Sequence, residues 1–167
     1  MRNLLCVLVL AVLPCLSSAQ PDRVYTSLGQ VNDPAQVYRL RLRHQRLAEV
    51  PAEVMAMVNL RELDMRGNRL TRLPDWMGRL THLQRLEVSR NPLEELPDSL
   101  SALTELRELI LWDTRVTALP ASYAAMDGRI EVIDLRSCPL RPADQEAIKA
   151  LLPTVEKRWD YACDCGE

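Results

Sequence analysis

Apolar residues recur along this chain in one fixed arrangement. Leu60, Leu63, Met65 and Leu70 are spaced as Leu83, Leu86, Val88 and Leu93, and again as Leu106, Leu109, Leu111 and Val116. Weaker copies flank these at Val37, Leu40, Leu42 and Leu47, and at Ile130, Ile133, Leu135 and Leu140. The copies start at 37, 60, 83, 106 and 130, so the period is 23, 23, 23 and 24 residues. A period of this length belongs to a stack of repeated units. Inside each unit the apolar-polar-apolar triplet predicts a short strand, apolar side chains inward and polar neighbours outward. A single unit cannot bury its own apolar face, so each must pack on the next. Leu40, Leu63, Leu86, Leu109 and Ile133 then form one buried layer of a five-stranded parallel sheet.

The second half of each unit agrees in phase. Val50-Pro51, Leu73-Pro74, Leu96-Pro97 and Leu119-Pro120 repeat, and Val54, Met77, Leu100 and Tyr123 follow three residues after each proline. The prolines open outer segments whose backbone needs no ladder N–H. Asn68 and Asn91 share a turn position where an amide can satisfy buried backbone groups of adjacent turns. Gln45, Thr114 and Cys138 fill the same column.

The pattern L-x-x-L-x-L-x-x-N-x-L, joined to L-P-x-x-L, resembles the leucine-rich repeat from Val37 to Leu140. The L-P form is similar to the subclass found in Ras-pathway scaffolds and in bacterial secreted repeat proteins. The resemblance implies an α/β, right-handed solenoid of about five repeats. It implies a parallel concave sheet, short helical or extended convex segments and a helical C-terminal cap. Terminal units must cover the apolar ends of the stack. Residues 20–36, with Thr26-Ser-Leu28 and Asn32-Asp-Pro34, read as a helical turn or two over the first repeat, and 37–140 as the solenoid. In the cap over 141–167, Pro142 opens a helix with an apolar stripe of Ala143, Ala147, Ile148, Leu151 and Leu152, which Pro153 ends. Val155 to Tyr161 reads as a last strand or strap, with Trp159 and Tyr161 over the final repeat.

Residues 1–19 read as a secretory signal: Arg2, an unbroken apolar run from Leu4 to Leu13, then Ser17-Ser18-Ala19. The run is too short to span a bilayer, which places the chain outside the cell or in the periplasm and not in a membrane. The whole chain has 21 basic and 23 acidic side chains. Loss of Arg2 leaves 20 against 23, a formal net charge of −3. That balance opposes a general nucleic-acid binder.

By family resemblance the outward strand positions line the binding surface, for a protein or peptide partner. Four columns result. They are Arg39, Glu62, Arg85, Glu108 and Val132; then Arg41, Asp64, Glu87, Ile110 and Asp134; then Arg43, Arg66, Ser89, Trp112 and Arg136; then His44, Gly67, Arg90, Asp113 and Ser137. The first alternates in sign and reads as a stabilising charge ladder. Trp112 stands where its repeat mates are Arg or Ser, so the core does not demand it. Ile110 is on the same strand face. Exposed Trp and Arg are enriched at interface hot spots. The candidate partner-binding set is Arg43, Arg66, Arg90, Ile110, Trp112, Asp113 and Arg136. Arg39, Arg41 and Arg43 make a basic edge that either receives an acidic surface or protects an edge strand. Trp76, on the outer side, is either a second contact or packing against an adjacent turn.

No catalytic constellation, metal-ligand spacing or phosphate loop is present in the sequence, so no cofactor is expected. Cys138 reads as structural, in the turn column. Cys163 and Cys165 are a candidate disulfide; one of them could instead reach Cys138 or another molecule. A binding module is the expected class. A structural or adhesive envelope protein is the alternative, and an intracellular scaffold is opposed by the signal.

Overall fold

A computed structural model describes residues 21–159. It contains one parallel sheet of seven strands in chain order. These are β1 (Val24–Tyr25), β2 (Arg39–Arg41), β3 (Glu62–Asp64), β4 (Arg85–Glu87), β5 (Glu108–Ile110), β6 (Val132–Asp134) and β7 (Glu156–Arg158). The five repeats supply β2 to β6 with the register the period demands: Leu40, Leu63, Leu86, Leu109 and Ile133 lie side by side. Beyond the five repeat strands, β7 falls within the last strand or strap predicted over Val155 to Tyr161, while β1 is a strand where the sequence predicts a helical turn or two. β1 pairs Tyr25 with Leu40, and β7 pairs Lys157 with Ile133. Both segments lack the repeat motif, yet both supply backbone groups that close an otherwise open ladder. The lead-in also has two single 3-10 turns, Leu28–Gln30 and Pro34–Gln36.

The core is the repeat layer. Leu40, Leu63, Leu86, Leu109 and Ile133 are fully buried, as are the second-layer residues Leu42, Met65, Val88, Leu111 and Leu135. Burying one such side chain is worth about 1.5–3 kcal/mol. The outer side consists of 3-10 turns at Ala52–Ala56, Asp75–Arg79, Asp98–Ala102 and Ala121–Met126, each entered through a proline. Three residues after each proline, Val54, Met77, Leu100 and Tyr123 point inward and are fully buried. The single 24-residue period is absorbed here, because the last turn has six residues where the others have five. Gly78 is required by packing, since a Cβ there would overlap the Ser99 carbonyl of the next turn.

The turn column behaves as amide chemistry predicts. The Asn68 amide donates to Leu42 O and Met65 O, both at 2.7 Å, and accepts from Gln45 N at 2.9 Å and Leu47 N at 3.1 Å. Asn91 donates to Met65 O, Val88 O and Ser89 O and accepts from Leu70 N at 3.0 Å. Cys138 replaces the amide with a thiol 3.3 Å from both Leu111 O and Thr114 Oγ1. Burial pushes this thiol's pKa up, and it is a free cysteine.

The C-terminal helix α1 spans Pro142–Leu151. Its predicted stripe is narrower than the sequence suggests. Ile148 and Leu152 are buried and Leu151 is half-buried, but Ala143 and Ala147 face solvent. The helix packs chiefly on the last outer turn, so one row of side chains suffices. Trp159 packs against the core edge, with Lys149 Nζ 5.5 Å from its ring centroid. Tyr161, Cys163, Cys165 and the signal segment lie outside the described residues.

Candidate binding face of the sheet

Strand alternation sends the intervening side chains to the face opposite the core. Backbone bonds carry the register past the strands: His44 N to Arg66 O, Gly67 N to Ser89 O and Arg90 N to Trp112 O at 3.0 Å, and Asp113 N to Arg136 O at 2.8 Å. The third and fourth columns are therefore real rows. The fourth is also a conformational row. His44, Gly67, Arg90, Asp113 and Ser137 all have left-handed backbone, with φ of 54°, 71°, 54°, 56° and 56°. Only one is glycine, although that region costs other residues about 1–2 kcal/mol. The stack imposes this corner whatever side chain stands there.

Three of the four central rows are strongly charged, and much of that charge is internally matched. Arg39 pairs with Glu62 at 2.8 Å, and Arg85 pairs with Glu108 and, at 3.1 Å, with Glu87. Arg43 is paired with Asp64, and the buried carboxylate raises the arginine's pKa. Arg136 sits 2.6 Å from Asp134. The three acids Asp64, Glu87 and Asp134 are buried, at 7%, 6% and 2% exposure. Each takes an arginine, as buried carboxylates must be compensated.

Trp112 lies between these pairs. Its ring centroid is 4.9 Å from the Arg66 guanidinium carbon and 4.6 Å from that of Arg90. Arg66 and Trp112 are two strands apart, with Ser89 on the strand between. The small Ser89 leaves a gap that the two long side chains cross, and Ser89 is fully buried. Arg90 Nε also lies 3.9 Å from Asp113 Oδ2.

The chain matches the family described as "Leucine-rich repeat region" over residues 1–127. It belongs to the leucine-rich-repeat family. A solved leucine-rich-repeat protein of Leptospira interrogans shares the fold with a TM-score of 0.53 at 21% identity, over 83% of this chain. The match covers 46% of that protein, so this chain corresponds to about half of it. No curated protein matches the chain. Leucine-rich-repeat proteins are typically non-enzymatic interaction scaffolds, and this fold suggests a protein-binding module. No helix among the described residues is long and apolar enough to cross a membrane.

Of the predicted set, this leucine-rich-repeat protein brings together Arg66, Arg90, Trp112 and Asp113. Arg43 and Arg136 flank them, each held by a buried acid. Ile110 is corrected: only 6% of it is exposed, so it offers no surface to a partner. Its column mates are Glu87 and Asp134, also withdrawn. Sequence reasoning missed these acids as neutralisers. The signal was available, since Arg43 and Arg136 each stand near an acid of the adjoining column. Trp76 is half-buried against the core and lines a groove of about 500 Å³ with Leu73, Pro74, Leu96 and Glu95. Its packing against the core agrees with the packing reading, and its remaining surface faces the groove.

Proposed function

We propose that this chain is a non-catalytic protein-binding module, exported from a bacterial cell by its first 19 residues. It is a member of the 23-residue L-P-x-x-L subclass. It docks a protein or peptide on the concave sheet face through Arg66, Arg90, Trp112 and Asp113. The observation that carries this reading is Trp112. It occupies a row whose other members are Arg43, Arg66, Ser89 and Arg136, and two arginines approach its ring on the face away from the core. Stacking of this kind holds large, low-entropy contact groups in place before a partner arrives. The signal-like segment and the absence of a net basic charge support export and a partner other than nucleic acid.

The test is a comparative pulldown from cell-envelope and culture-medium extracts, with the wild-type chain set against Trp112→Ala and Arg66→Ala. A species retained by wild type and lost from both variants identifies the partner and its face. Equal retention by all three moves the surface elsewhere, with the Trp76 groove first in line. Intact mass of the exported chain tests cleavage after Ala19.

A further inference from the structure

The arginines on the sheet face differ in one respect. Arg39, Arg43, Arg85, Arg90 and Arg136 each have a carboxylate partner, whereas Arg66 has none among the described residues. The nearest acid in sequence, Asp64, is already taken: Arg43 holds its side chain, and the Arg66 backbone N–H donates to Asp64 Oδ1 at 3.1 Å. Arg66 is also partly desolvated. Its Nε is buried and has no hydrogen-bond acceptor, which is unfavourable for a charged donor. The guanidinium is kept in that position by Trp112, 4.9 Å away. Arg41 likewise lacks an ion pair among the described residues, but it stands on β2, and no aromatic contact involves it.

We propose that Arg66 is the receptor for one carboxylate of an acidic peptide segment, an aspartate or glutamate side chain of the protein partner. The inference rests on the binding-face reading above and adds the chemistry of the ligand. A guanidinium fork matches a carboxylate with two parallel bonds, and such charge-assisted bonds are the strong ones. The local charge fits a single negative group: Arg66 and Arg90 contribute two positive charges and Asp113 one negative, a net of one positive. The acids Asp64, Glu87 and Asp134 are already matched by Arg43, Arg85 and Arg136, so these pairs add no further positive charge for a doubly charged phosphate. Trp112 supplies an apolar surface beside the anion, so the partner presents its acid next to an apolar side chain.

The experiment is selection of a randomised displayed peptide library on the full-length chain, in parallel with Arg66→Ala and Trp112→Ala. Thermal melts establish that the variants fold. Wild type is expected to enrich peptides with Asp or Glu at one position, and Arg66→Ala is expected to lose that enrichment. For one selected peptide, replacing the acid by its amide should weaken binding about tenfold or more. Enrichment of neutral peptides by wild type overturns the acidic ligand while leaving the binding face intact. Acid enrichment that persists in both variants, or no peptide retained at all, overturns the proposal and the binding-face reading together. A phosphoserine peptide that binds tighter than its glutamate counterpart replaces the carboxylate with a phosphate and also overturns it.

Discussion

The turn column and the tryptophan row each take one residue from every repeat, yet they obey different rules. The turn column is buried at Asn68, Asn91 and Thr114, half-buried at Cys138 and exposed only at Gln45 in the first repeat. Its members Asn68, Asn91, Thr114 and Cys138 differ, but every one places a polar atom against buried backbone or its column neighbour. The row of Arg43, Arg66, Ser89, Trp112 and Arg136 has no shared chemistry at all. It is positioned by the same ladder, but each member meets different surroundings: Ser89 is buried and donates to Glu87, Arg43 and Arg136 each hold a buried acid, and Arg66 meets Trp112. The difference separates what the stack needs from what it merely displays, and side-chain diversity at constant backbone register marks the displayed positions.

Substitutions sharpen that separation. Asn91→Ala should be the most damaging: it strands Leu70 N and the Val88 carbonyl and removes one of two donors from the carbonyls of Met65 and Ser89, at a cost of about 3 kcal/mol in denaturant unfolding. Gly78→Ala drives a methyl into the Ser99 carbonyl of the adjacent turn. It should destabilise by about 2 kcal/mol, which a thermal melt will register. Trp112→Ala should cost less, about 1 kcal/mol, because it removes two cation–π contacts from a half-buried ring. Its main effect should be lost partner retention. If it destabilises as much as Asn91→Ala, the two rows are not distinct. The smallest effect concerns pH. Burial raises the Cys138 thiol's pKa above its unfolded value. The native state then holds a proton that the unfolded chain releases, so stability falls as pH rises through and beyond the unfolded value of about 8.5. Cys138→Ser should flatten that part of the pH-stability profile relative to wild type.

The repeating part of the fold was legible because each Leu column reports its own register. Leu40, Leu63, Leu86, Leu109 and Ile133 could be aligned by counting alone. The ends were less legible. The strand around Lys157 could be read as a last strand or strap, but Tyr25 enters the sheet through backbone pairing of a two-residue segment outside the repeat pattern. The face was legible by row but not by depth. Period-2 alternation places Ile110 outward with Asp64, Glu87 and Asp134, yet burial there depends on arginines arching over from adjoining rows. Only coordinates reveal that. The meeting of Arg66 with Trp112 across Ser89 joins residues 46 positions apart, and depends on side-chain direction that spacing does not encode.

The six-residue turn at Ala121–Met126 has a practical consequence. The stack accommodated an added residue there while Leu109 and Ile133 stayed paired. Just beyond it, Gly128 has left-handed backbone with φ of 77°, and a Cβ built on it meets nothing within 4 Å. The same corner is tied down by its neighbours: Asp127 Oδ1 accepts from Thr154 N at 3.0 Å and Thr154 Oγ1 at 2.8 Å, and Gly128 N donates to Thr154 Oγ1 at 3.1 Å. The longer turn thus doubles as the latch that fastens the C-terminal cap to the stack, and a tag inserted between Asp127 and Gly128 would loosen that cap while leaving the Trp112 face untouched.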